Sequence, residues 1–403
     1  MCALKDVETY GLLILLFSLA LYAAIVSNRL SGLLKIPAPA IFLVAAAVAS
    51  DIYHPLGTLS LVIDQRIVTI ALILILFDGG INMGWRRFRT AASAIVWVGV
   101  MGTAVTAGAM ALLSHFIFGF EWRLALLLGT ALAPTDPAVV FSVLGNKEIA
   151  GRSGTLLEGE SGANDPVGIA LLASILGSTG GGLSAVGSGL EEFVIQMFVG
   201  AAVGAIGGVV LRGAAQRLPL PITALHPLRA LAFAGATYGA ATVLHGSGFL
   251  AVFLAGIIVG DLDTPANRDV EAFAGAMSTL AEIVAFTVLG LTIPLTRAFS
   301  FSHAIPGLVL AALLIFLVRP LLVAPVLLPI RMNNRERAFI LWAGLKGAVP
   351  IVLGTFILVA DVGQAARIYD IIFVVVLISV VLQGSTVPYV ARRLKIPMRR
   401  AAG

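Results

Sequence analysis

Apolar stretches of about twenty residues follow one another along nearly the whole chain, separated by short clusters of charge, proline and glycine. A stretch of that length crosses the hydrocarbon of a bilayer as a helix. The pattern predicts helices at roughly 9–28, 36–50, 66–83, 90–118, 122–145, 153–177 and 191–215, then at 228–244, 247–261, 270–294, 303–330, 336–360 and 367–390. The expected fold is therefore an all-α integral membrane protein of about 13 transmembrane helices, one membrane domain over 1–403 with no soluble C-terminal domain. The stretch from Gly177 to Gly189, rich in Gly and Ser, reads as a flexible loop.

Two of these helices are interrupted. The fifth contains Ala133-Pro134-Thr135-Asp136-Pro137, and the twelfth contains Gly344-Leu345-Lys346-Gly347-Ala348-Val349-Pro350. They are the fifth members of two six-helix blocks, helices 1–6 and 8–13, with helix 7 at 191–215 as the connector. An odd offset of seven helices inverts the second block relative to the first, which predicts an inverted repeat whose two broken helices cross. Paired breaks in such a repeat point to a transporter's midplane site. Proline kinks are common in membrane helices, but both of these breaks also carry a charge.

Composition sharpens the class. The 403 residues are 59% hydrophobic and 12% charged, with mean hydropathy +1.03. That excludes an ordinary soluble enzyme, a disordered chain and a nucleic-acid binder. The single cysteine, Cys2, excludes a disulfide framework or a cysteine-based metal site. No cleavable signal is evident, because the first apolar run continues into the membrane domain. Behind the net charge of +5, it is the clustering of Lys and Arg that sets orientation. With the N-terminus outside, nineteen of the 26 basic residues fall on cytoplasmic loops and the tail, five fall outside, and Arg319 and Lys346 lie within helices. This asymmetry places the C-terminus in the cytoplasm of a multi-pass protein of the cell (inner) membrane.

An ionisable side chain at bilayer depth costs several kcal/mol unless paired or wetted, so each is a functional candidate. They are Asp78, Asp136, Asp165, Glu282, Arg319 and Lys346, with Glu158 and Glu160 near a helix end. Ser161 lies four residues before Asp165 and shares its helical face, while Asn164 is turned about 100° away and addresses a different neighbour. A carboxylate, a hydroxyl and freed carbonyls suit a small hard cation. Pro134 and Pro137 leave carbonyls unpaired around Thr135 and Asp136, which makes natural cation ligands. Two carboxylates close together in low dielectric cannot both be cheaply ionised, so proton and cation compete for one site. Lys346 and Arg319 read as structural electrostatics, offsetting negative half-helix ends as Asp136 offsets positive ones. Glu282 is the expected partner of either base, and Asp78 the expected partner of Asn164.

Other chemistry is thin. His54, His115, His226, His245 and His303 have no carboxylate or cysteine at metal spacing. Ser247 lacks a persuasive base, since His245 is too near in sequence, so an intramembrane enzyme is not expected. No phosphate-binding loop supports ATP drive. An organic solute would require a larger polar or aromatic pocket than these small hydroxyls and carboxylates make. The runner-up function is a proton-independent cation channel or gated potassium efflux pathway on the same scaffold.

Taken together, Phe77-Asp78-Gly79-Gly80, Pro134-Thr135-Asp136-Pro137, Glu160-Ser161-Gly162-Ala163-Asn164-Asp165-Pro166 and Gly344 to Pro350 resemble the monovalent cation:proton antiporters of the first cation:proton antiporter branch. The resemblance covers essentially the whole chain in the same order. It implies thirteen helices with an inverted six-helix repeat, divided into a core and a dimerisation domain that pairs two copies. It implies that Asp165 carries the ion and the proton, that Thr135, Asp136, Ser161 and Asn164 match the other site positions, and that Asp78 fills the acidic position of helix 3. Relatives with Asn-Asp at this point are generally electroneutral, which implies exchange of one Na⁺ or K⁺ per proton by elevator-like movement of the core, with no cofactor. One carboxylate neutralised by either ion carries no net charge over a cycle. Lys346 departs from the arginine common at its position; many relatives also carry a regulatory domain after the last helix.

Overall fold

A computed structural model describes residues 37–53, 60–144, 147–178, 183–218, 220–262 and 267–400, with Gly11, Leu15, Ser18, Tyr22, Ile25 and Val26 on a preceding helix. The first expected helix, 9–28, thus lies mostly outside the described residues. The described part is almost wholly helical.

Helix α1 (Ala38–Ile52) leads to α2 (Leu61–Trp97), which passes through a π-helical turn (Val98–Gly102) into α3 (Thr103–Phe118). Two separate helices were expected here, and non-helical backbone at Gly84 divides the run from Leu61 to Phe118 at the start of the expected gap. Fifty-eight residues would reach about 87 Å if straight, against hydrocarbon about 30 Å thick, so the run must bend. It does so at Gly84, whose φ of 62° and ψ of 158° are open to glycine and strained for any other residue. The carboxylate of Asp261 packs where a Gly84 Cβ would stand and accepts the Arg86 N–H at 2.5 Å, holding the bend.

Next come α4 (Trp122–Ala131), α5 (Ala138–Leu144), α6 (Arg152–Gly177), α7 (Leu183–Arg217), α8 (Leu225–Val243) and α9 (Gly248–Val259). The loop expected over 177–189 is shorter than that, because α7 already begins at Leu183; residues 179–182 lie outside the described set. Helix α10 (Asn267–Leu291) and the single turn α11 (Leu295–Ala298) precede α12 (Phe301–Leu313), which continues as π-helix to Val323 and 3₁₀-helix to Leu327. Pro320 inside that stretch removes an amide donor, and the wider helix absorbs it. The chain ends in α13 (Asn334–Ala343), α14 (Ala348–Val359), α15 (Ala365–Ile378) with a π-turn at Ser379–Gly384, and α16 (Ser385–Arg393).

Among the described residues five helices are long and apolar enough to cross a bilayer, and α13 with α14, bent by 42° at their break, makes a sixth if counted as one span. The chain is a multi-pass membrane protein. Exposed Phe198, Ile206, Val209 and Val210 on α7, and Phe316 and Leu321 after α12, present the apolar surface that lipid requires. Inside, α2 packs against α6, α9 and α10, α3 against α4, and α12 and α14 against α15. Buried Asp370 on α15 takes two bonds from Arg297, at 2.6 and 2.9 Å, and one contact from His303 at 2.9 Å, fastening the α10–α12 connection to α15.

No strand was expected, yet β1 (Lys147–Ile149) pairs antiparallel with β2 (Met398–Arg400), Glu148 facing Arg399. With the Ala150 N–H donating to Pro397 O at 2.9 Å, this ladder ties the segment after α16 to the turn before α6.

Candidate functional site

The two interruptions lie against each other and complete each other's hydrogen bonds. At the C-terminal end of α4, Pro134 and Pro137 supply no N–H, so the carbonyls of Ala133 and Pro134 need an outside donor. The Lys346 ammonium, 1% exposed, donates to both, at 2.7 and 3.0 Å. In return the Asp136 N–H donates to Leu345 O at 2.9 Å. The Lys346 N–H donates to Ser379 Oγ at 3.0 Å; that hydroxyl donates to Gln383 Oε1 at 2.7 Å, and the Gln383 amide donates to Trp342 O at 2.9 Å. The π-turn of α15 is what turns Ser379 and Gln383 toward the break.

Each charge meets a helix end of opposite sign. The Asp136 carboxylate packs against Gly347, which caps the N-terminus of α14 where the dipole is positive; a Cβ on Gly347 would collide with it. Arg319 donates to the carbonyls of Leu341 and Ile340, at 2.8 and 3.3 Å, at the negative end of α13. Its nearest carboxylate is Glu160, at 3.8 Å. Glu282 was expected to pair with one of these bases; instead Glu160, fixed one turn before Asn164 on α6, takes Arg319, while Lys346 is committed to backbone carbonyls.

Asn164 turns to the first break. Its Nδ2 donates to Thr135 Oγ1 at 2.7 Å, and its Oδ1 accepts the Thr135 N–H at 3.3 Å. The pairing expected with Asp78 is not formed: Asn164 is committed to Thr135, and Asp78 lies beside Ser278 and Asn82 instead. Ser161 and Asp165, on the other face of α6, line a cavity of about 520 Å³ together with Asp136 from the break. Asp78 and Asn82 of α2, and Ser278 and Glu282 of α10, form the facing wall. Arg87, Glu158 and Arg399 line the same cavity farther out, with Arg87 bonded to Glu158 at 2.7 Å. Asp165 is 6% exposed, and its Oδ1 is buried without a hydrogen-bond partner.

Of the candidate ligands, Asp165, Asp136 and Ser161 therefore share one chamber, while Thr135 and Asn164 are bonded to each other beside it. An unpartnered carboxylate oxygen, a second carboxylate and a hydroxyl can hold a hard cation or a proton, but not both at one oxygen. Asn82 and Ser278 were not anticipated. Each stands four residues from an anticipated acid, Asp78 or Glu282, on the same helical face, which was the available signal.

The family model for the sodium/hydrogen exchanger, transmembrane, matches residues 9–393. The K⁺/H⁺ antiporter NhaP of Alkalimonas amylolytica is 34% identical over 401 residues, 98% of this chain and 69% of that protein. The low-affinity Na⁺/H⁺ antiporter NhaS1 of Synechocystis is 24% identical, over 95% of this chain and 74% of that protein. Among solved structures, the sodium proton antiporter MjNhaP1 from Methanocaldococcus jannaschii at pH 8 superposes with a TM-score of 0.80 at 22% identity, covering 94% of this chain and 98% of that one.

Proposed function

Because the chain belongs to the sodium/hydrogen exchanger family of transmembrane proteins, we propose that it exchanges a monovalent cation, Na⁺ or K⁺, for a proton across the cell (inner) membrane. The observation that carries this reading is Asp165, buried in the wall of the cavity with one oxygen unpartnered and Asp136 lining the same cavity. Proton and cation take turns there, with Ser161 and the break at Thr135 and Asp136 supplying further oxygens. Asn164 and Lys346 act as positioning groups that hold the break open, and Arg319 holds the end of α13. The names of the relatives divide between K⁺ and Na⁺, so the substrate class is the alkali cation.

One carboxylate serving both ions makes the cycle electroneutral, one cation per proton. The groups that bind ions ride on α6 and on the two broken pairs, while α2 and α10 form the wall they pack against; this division supports an elevator-like step in which the former slide along the latter. The full arrangement proposed is thirteen spans in one domain, an inverted six-helix repeat around α7 with the broken helices crossing, the N-terminus outside, the C-terminus cytoplasmic, and two copies paired. The exchange runs on the ion gradients without a cofactor.

In proteoliposomes carrying a pH dye and a voltage dye, addition of Na⁺, Li⁺ or K⁺ is expected to move protons with no change of potential. Cation flux without proton counterflow, or with current, would instead establish the channel reading.

A further inference from the structure

We propose that Arg399, carried on strand β2 after the last helix, is a tethered positive charge at the mouth of the ion cavity that lowers its occupancy by the incoming cation and so sets the cation KM on that side. The proposal rests on the antiport reading of Asp165 and adds to it a residue that determines cation affinity.

The chain after α16 is folded back and held. It reverses at Lys395, whose φ of 55° is left-handed, and the N–H groups of Lys395 and Ile396 donate to Arg392 O and Ala391 O at 3.1 and 3.0 Å. Ile396 is then buried, and Met398–Arg400 pairs with Lys147–Ile149. Ile149 is buried as well, and its carbonyl lies where a Cβ on Gly154 would stand, so the ladder is seated on the first turn of α6. Strand β1 lies between α5 and α6, after the break that holds Asp136 and before the helix that carries Asp165. The ladder therefore ties Arg399 to the elements that bind the ion and not to the facing wall.

A guanidinium is an unexpected lining for a cation cavity. The acids that line it are Asp78, Asp136, Glu158, Asp165 and Glu282, and the bases are Arg87 and Arg399. Arg87 belongs to α2 and is bonded to Glu158 at 2.7 Å. Arg399 comes from the far end of the chain, is exposed, and keeps its charge at any pH the protein meets. A cleft lined by one sign of charge concentrates the opposite ion. A fixed positive charge at its opening works against that attraction without touching Asp165.

The test uses the full chain in everted membrane vesicles, with Na⁺ or K⁺ added on the side of the mouth and proton movement read by a pH dye. Arg399→Gln is expected to lower the cation KM about threefold and Arg399→Glu about tenfold, the scale of one and two unit charges within a Debye length of the ion, with kcat altered less than KM. Arg399→Lys is expected to keep the wild-type KM. The differences should close as ionic strength is raised with an impermeant organic salt, because a charge in a wet mouth is screened. Arg393→Gln, which removes a base from α16 outside the cavity lining, is expected to leave KM unchanged. The charge can also be exchanged on one folded sample. In a Cys2→Ser chain, Arg399→Cys labelled with an ammonium methanethiosulfonate should restore the wild-type KM, and the sulfonate reagent should lower it. A KM unchanged in Arg399→Gln, lowered equally in Arg393→Gln, or lowered without any dependence on salt would overturn the proposal. Exchange persisting in Asp165→Asn would overturn the antiport reading instead.

Discussion

Asp165→Asn is expected to abolish cation-driven proton movement in proteoliposomes and to leave the protein folded. The two side chains have the same shape, and Asp165 Oδ1 makes no hydrogen bond that the amide would forfeit. What is lost is the negative charge and the titratable oxygen. A carboxylate about 4 Å from a monovalent cation is worth about 4 kcal/mol at an effective dielectric near 20, which is nearly a thousandfold in affinity. The amide also cannot take up a proton, so the return half of the cycle has no carrier. Dye dequenching should fall to that of empty vesicles while the melting temperature in detergent stays near the wild-type value. Persistent exchange would remove Asp165 from the site.

Lys346→Met is expected to cost about 3–5 kcal/mol of stability, the scale for taking one partner from a buried charged network. The ammonium serves the carbonyls of Ala133 and Pro134, and without it both are buried and unpaired at about 1–3 kcal/mol each. Methionine fills the space and supplies no donor. Lys346→Arg keeps a charge and several donors, so it should lose less. Thermal unfolding of the purified variants in detergent reads the difference; a methionine variant as stable as wild type would mean that the two broken helices do not depend on this contact.

The breaks were legible because their causes are local. Proline at 134 and 137 removes amide donors, and glycines at 344 and 347 flank a charge, whatever the rest of the chain does. The division of labour on α6 was legible for the same reason: spacing alone puts Ser161 and Asp165 on one face and Asn164 on another. The partner of Asn164 was not legible, because choosing Thr135 over Asp78 depends on how α6 packs against the first break. The assignment of Glu160 rather than Glu282 to Arg319 likewise follows from tertiary placement. The ladder between Lys147–Ile149 and Met398–Arg400 joins two three-residue segments far apart in sequence, too short to show a strand's alternation. The break at Gly84 was legible as the gap between the expected helices at 66–83 and 90–118, marked by Arg86, Arg87 and Arg89; that the break is confined to one glycine, with the helix resuming beyond it, was not.

The central claim is that a proton and an alkali cation exclude each other at Asp165. Equilibrium binding of radioactive Na⁺ or Rb⁺ to the purified protein, measured as a function of pH, tests it most directly. The cation must find the carboxylate deprotonated, so its apparent affinity should fall by about tenfold per unit of acidification once the proton dominates, and Asp165→Asn should abolish that pH-dependent component. An affinity that does not change with pH, or a pH dependence that survives in Asp165→Asn, would contradict the account.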